Sequence, residues 1–222
     1  MERIIQSHNP DKKITVINAG ICGSDPIFGY KDYDSIFYKY SPDIVVQSLD
    51  ELDFFDDIAS RGGFERFASD GKVYFANSYK YGKVYKWLFL SRIYFNHICG
   101  LNILFLNHHI VELKKPFFEE QVCLLATKWD DQIRKRKFKM YFVLRPNRSE
   151  INRNGYDPIF ASIVTKLRKC SHEANVVDLT PFFIDSTTMG KNPEIYFWKQ
   201  DGHNNSLGYY QMARAIANAI KL

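Results

Sequence analysis

The residues best suited to chemistry lie near the C-terminal end of the chain. Asp201 and His203 stand two positions apart in Gln200-Asp201-Gly202-His203-Asn204-Asn205, and a helical pattern carrying Met212, Ala213, Ala215 and Ile216 follows. A glycine-containing loop ahead of a helix can aim an imidazole into a cleft while a neighbouring carboxylate orients it. A histidine held in this way can serve as general base toward a hydroxyl nucleophile. On the bare Asp-x-His pattern alone, a solvated loop histidine is the plainer reading. Trp198, close to the same loop, is suited either to stacking on a sugar ring or to the core. Arg145 ends an apolar run, where it can meet an anionic substrate or form a surface ion pair. Asp50, Glu51, Asp53, Asp56 and Asp57 form an acidic cluster that reads as a solvated loop in preference to a divalent-cation site. His108 and His109 are adjacent, so they do not share a helix face, and no carboxylate triplet accompanies them. No metal or cofactor is expected.

These residues need a scaffold, and short β-branched runs alternating with longer helical patterns predict one: an α/β fold built from βαβ units around a parallel sheet. Strands are predicted at Ile14 to Asn18, Asp43 to Ser48, Lys139 to Leu144 and Asn175 to Leu179. Helices are predicted at Tyr30 to Tyr40, Phe117 to Lys137, Ile159 to His172 and Leu207 to Ile220. In the second of these, Val122, Leu125, Ala126, Trp129 and Ile133 recur near helical spacing, with Lys and Arg gathered at the C-terminal end. The chain reads as a single domain, 1–222, with an aromatic-rich insertion at about 51–115. That insertion either walls a site at the strand C-termini, where open α/β sheets bind ligands, or acts as a packing lid.

Two of these segments carry a family resemblance. DGHNNSLGYYQMARAIANAI resembles the last sequence block of the SGNH/GDSL hydrolase superfamily, and ITVINAGICGSDP resembles its strand and glycine turn. The resemblance implies that Asp201 orients His203, that His203 is the base, and that the Gly23 N–H faces the oxyanion. It implies a three-layer α/β/α, flavodoxin-like sheet and an ester hydrolase or O-acyltransferase, acting on a small-molecule or carbohydrate ester. A third block is altered. Where the family has an Asn-Asp pair supplying a second oxyanion donor, this chain has Leu52-Asp53, and leucine cannot donate; losing such a donor typically costs roughly 100- to 1000-fold in rate. The family's Gly-Asp-Ser block is not found, and only thirteen residues precede Ile14. Gly23-Ser24-Asp25 has the right residue types in another order, at the oxyanion-glycine position. The sheet is therefore expected without its first strand, through truncation, replacement by another segment, or degeneration. The alternatives are a catalytically inactive relative that binds glycans or serves as a scaffold, and a flavodoxin-like module for a phosphorylated ligand.

Composition narrows the field. A net charge of +5 arises from 30 Lys and Arg dispersed among 25 Asp and Glu, which reads as solubility in preference to a nucleic-acid or membrane-surface role, and no nucleic-acid partner is expected. The four cysteines, Cys22, Cys99, Cys123 and Cys170, lie far apart without CxxC spacing and read as buried thiols. Met1 to Asn9 is polar and shows no secretory core, and no run reaches the roughly 18 apolar residues a spanning helix needs. Compartment and oligomeric state are left open.

Overall fold

Lys139–Leu144 is the strand around which the molecule is organised, because KMYFVL has no polar face: five of its six residues are buried. A continuous apolar run suits a parallel strand covered on both sides. In the computed structural model, which describes residues 1–20, 24–58, 62–67, 103–153, 155–184, 193–199 and 202–220, this strand is β2. It lies between β1 (Ile44–Leu49) and β3 (Asn175–Asp178), both parallel to it, in the order β1-β2-β3. The register runs from Ile44 opposite Lys139 to Leu49 opposite Leu144, and from Tyr141 opposite Asn175 to Leu144 opposite Asp178.

The twofold alternation of a strand sends the side chains of β2 into two separate cores. Met140, Phe142 and Leu144 pack with α2 (Pro26–Ser35), α3 (Ile103–Arg136) and α5 (Pro158–Cys170), through residues including Tyr33, Trp129 and Phe160. Tyr141 and Val143 pack with α6 (Thr180–Ile184), the 3-10 turn Pro193–Tyr196 and α7 (Ser206–Ala219), through Phe183, Tyr196, Ala215 and Ile216. Among the described residues, the remaining α-helices are α1 (Glu2–His8) and α4 (Arg148–Arg153).

One polar side chain ties the first core together. Gln47 of β1 accepts from Trp129 Nε1–H at 2.8 Å and donates to the Pro26 carbonyl at 2.6 Å, so one amide joins strand, α3 and α2. Gly29 lets the amide in: a Cβ there would stand 2.8 Å from Gln47 Nε2.

The α/β class expected from sequence is the one observed, with two differences of extent. Ile14 to Asn18 is not a strand. The Ile14 N–H is taken by Gln6 Oε1 at 3.1 Å and the Val16 N–H by Glu2 Oε2 at 2.7 Å, so α1 side chains satisfy groups that a sheet neighbour would otherwise bind. Ile17 is left 49% exposed. The helix predicted from Phe117 begins at Ile103 instead and runs through Pro116, a residue whose missing N–H would ordinarily mark a helix start. Of the aromatic insertion, 59–61 and 68–102 lie outside the described residues.

A third difference is covalent. Cys123 of α3 and Cys170 of α5 form a disulfide with Cα atoms 5.2 Å apart, where separate thiols were expected. The two helices meet on one face of the sheet, so the pairing is tertiary and has no sequence spacing to betray it. Cys22 and Cys99 lie outside the described residues. The bridge closes a loop of sequence separation 47, and the chain-entropy relation assigns such a loop about 4 kcal/mol. Reduction, or the double substitution Cys123→Ala/Cys170→Ala, should lower unfolding stability by up to about that amount. Urea titrations with and without reductant would show it as a shift to lower midpoint, absent in the double variant.

Candidate functional site

The segment carrying His203 is organised by Asn205. As N-cap of α7, its side-chain oxygen accepts from the Leu207 N–H at 2.9 Å and the Gly208 N–H at 3.0 Å. Its amide nitrogen donates backward to the carbonyls of Ile195 at 2.7 Å and Phe197 at 3.3 Å. A single side chain thus fixes both the first turn of the helix and the strand-like segment running into the loop. Phe197 and Asn204 form an isolated antiparallel bridge, and the Trp198 N–H donates to the His203 carbonyl at 3.1 Å. Gly208 permits the close approach, since a Cβ there would fall 2.2 Å from the Tyr196 carbonyl oxygen. His203 is exposed at the tip, whereas Asn204 next to it is buried.

Contacts from Arg148, beyond the end of β2, place this loop at the C-terminal edge of the sheet. Four residues beyond Leu144, Arg148 reaches the carbonyls of Trp198 and, at 3.3 Å, Lys199. Arg145 follows β2 directly and pairs with the Asp50 carboxylate, which follows β1. Burial lowers the Arg145 pKa, opposed in part by Tyr209 in the first turn of α7. Trp198 is 56% exposed beside His203. Arg145, Trp198 and His203 are therefore brought to one end of the molecule.

Asp53 is employed locally: its carboxylate accepts the Asp50 N–H at 2.7 Å, while Asp50 Oδ1 accepts from the Leu52 N–H at 2.9 Å and the Asp53 N–H at 3.2 Å. This reciprocal cap starts the turn after β1 and leaves Leu52 48% exposed. Asp201 and Gly23, the expected orienting carboxylate and oxyanion glycine, lie outside the described residues. Ser24 immediately precedes Asp25, which N-caps α2 through the Ile27 and Phe28 N–H groups and pairs with Arg66 at 2.5 Å. Among the described residues, no group of three or more His, Cys, Asp or Glu is placed to hold a metal ion. No helix among them is long and apolar enough to cross a membrane.

Sequence reasoning passed over one acidic residue at this end of the sheet, Glu150. Glu150 is 0% exposed; its Oε2 accepts the Asn147 N–H at 2.8 Å and its own N–H donates to Asn147 Oδ1 at 2.9 Å. The Asn-x-x-Glu spacing of 147–150 is the readable sign of this capping box. Burial raises the Glu150 carboxyl to about 7, against the Asn147 N–H and with help from the nearby charge of Glu51. Glu51 is itself raised, chiefly by burial. Comparison with family models, with curated proteins and with solved structures finds no match to this chain.

Two measurable consequences follow from these groups. Asn205→Ala should destabilise the fold by about 1–2 kcal/mol, the usual worth of an N-cap. Asn205→Asp, which keeps the capping acceptor but turns a carboxylate oxygen toward the Ile195 and Phe197 carbonyls, should fail to restore wild-type stability in chemical denaturation. The folded-state pKa of Glu150 lies above its ordinary 4.5, so native protein binds the proton more tightly than unfolded chain. That stabilisation is complete below about pH 4.5 and disappears as pH rises through about 7, at most about 3 kcal/mol in all. In unfolding curves collected from pH 4.5 to 8, Glu150→Gln should remove more than half of the decline. An unchanged slope would place the titration elsewhere.

Proposed function

We propose that the chain is an SGNH-type ester hydrolase or O-acyltransferase with a three-layer α/β/α sheet, acting on an acylated carbohydrate. The observation that carries this reading is the placement of His203: exposed on a braced loop, ahead of a capped helix, at the C-terminal edge of a parallel sheet. Ligands in open α/β folds bind at that edge. Helices packed on both faces of β2 support the layered architecture, and exposed Trp198 supports a sugar ring as part of the substrate.

In this chemistry a serine Oγ attacks the ester carbonyl as His203 takes its proton. The tetrahedral oxyanion is met by the Gly23 N–H, and its collapse expels the alcohol, to which His203 returns the proton. Water, or an acceptor hydroxyl for acyl transfer, then releases the acyl group from serine by the same route. Asp201 keeps the imidazole oriented throughout. The Cys123–Cys170 disulfide favours an oxidising compartment such as the periplasm or cell surface.

One observation favours a second reading, a non-catalytic glycan-binding relative. Leu52, which the resemblance aligns with the family's second oxyanion donor, is an exposed side chain that cannot donate, and Asp53 beside it is engaged in the turn. Fluorophosphonate treatment followed by peptide mapping separates the two. The hydrolase reading expects one modified serine, lost in His203→Ala. Folded protein that takes up no label would sink it and leave the glycan-binding reading, for which binding to immobilised polysaccharide should depend on Trp198.

A further inference from the structure

We infer that Arg148 is the positioning residue for the loop that presents His203. Its consequence for reaction rate rests on the hydrolase reading, whereas its hold on the loop does not. The side chain starts from a stationary base: Arg148 opens α4, and the Asn147–Glu150 capping box anchors that helix three residues beyond β2. From there the guanidinium extends to two consecutive carbonyls, through Nη2 to Trp198 and through Nη1 to Lys199 at 3.3 Å. Its centre lies 5.6 Å from the Phe197 ring, so the residue ahead of those carbonyls is engaged as well.

The geometry makes the contact directional. Trp198 is held from both sides, its carbonyl by Arg148 and its N–H by the His203 carbonyl. A displacement of Trp198 is therefore transmitted to the backbone of His203. A planar guanidinium with fixed, divergent donors can hold two neighbouring carbonyls at once, whereas an ammonium on a flexible stem holds them as a point charge. The bracing from Asn205 acts at Ile195 and Phe197, at the base of the loop. Arg148 acts nearer the tip, where Trp198 and His203 are exposed. Misplacing a catalytic group by about 1 Å can cost roughly 100-fold in rate, so the contact matters to any reaction that uses this imidazole.

The test uses the full chain, isotope-labelled, as wild type, Arg148→Ala and Arg148→Lys. Amide exchange is followed at Trp198 and at Val143 of β2, together with the imidazole resonances of His203 and the saturating rate of fluorophosphonate labelling. In Arg148→Ala, Trp198 exchange should rise by about tenfold or more through local opening, and His203 should shift, while Val143 stays protected. Arg148→Lys should fall between the two. The saturating labelling rate should drop by roughly 100-fold with probe affinity little changed. Wild-type behaviour of Trp198 and His203 in Arg148→Ala would overturn the assignment, as would exchange that accelerates equally at Val143. If the alanine variant does not fold, the lysine variant is judged by the same criteria. Wild type that takes no label removes the hydrolase reading, and the exchange data still decide the role of Arg148.

Discussion

Everything in this molecule depends on burying β2 from both sides. A strand reading KMYFVL has no face to give to water, so each face must be covered by a separate set of helices. The two cores follow from that one segment, and so does the position of the candidate site. With helices over both faces, the places left for loops to converge are the ends of the strands. The connections after β1 and β2 carry Asp50, Arg145 and Arg148 to one such end. The chain that returns before α7 is drawn there by hydrogen bonds to Arg148.

Satisfaction of backbone polar groups governs the same end. Asp50, Asn147 and Asn205 each bind the free N–H groups of the turn or helix that they begin. The arrangement directs carboxylate oxygens of Asp50 and Asp53 at backbone donors and at Arg145. It also explains Glu150, a buried carboxyl tolerated because it completes a cap, at the cost of holding its proton into the neutral range.

The sequence was most legible where local pattern and tertiary demand agree. The predicted bounds of β2, Lys139 to Leu144, are those observed, and the helix predicted over Leu207 to Ile220 is displaced by one residue from the observed α7. Legibility failed where partners distant in sequence decide the outcome. Ile14 to Asn18 has strand composition, but a strand also needs a neighbour, and Glu2 and Gln6 bind its N–H groups first. Pro116 is a local start signal overridden within a 34-residue helix whose later turns are fixed by Phe118, Val122 and Trp129 in the first core. The Cys123–Cys170 bridge and the reach of Arg148 across 50 residues to Trp198 leave no local trace. In the candidate site, sequence reading drew attention to His203, Arg145 and Trp198, which the fold brings to one end. Asp53, read from sequence as part of an acidic cluster beside Leu52, accepts the Asp50 N–H in the turn after β1.

The site itself divides its labour between neighbouring residues in a way that single positions would not suggest. Asn204 and Asn205 turn inward and are spent on fixing backbone, Asn204 through a 3.4 Å contact to the Tyr196 carbonyl and Asn205 through four hydrogen bonds. His203, one residue earlier, is turned outward. An exposed imidazole on a free loop would be an ordinary surface group, because its position would average over many conformations. On a segment bridged to Phe197, closed over Gly208 and gripped by Arg148, the same imidazole has its backbone fixed while its ring faces solvent. A proton acceptor needs both properties: immobility so that it meets its partner in one geometry, and exposure so that a partner can reach it.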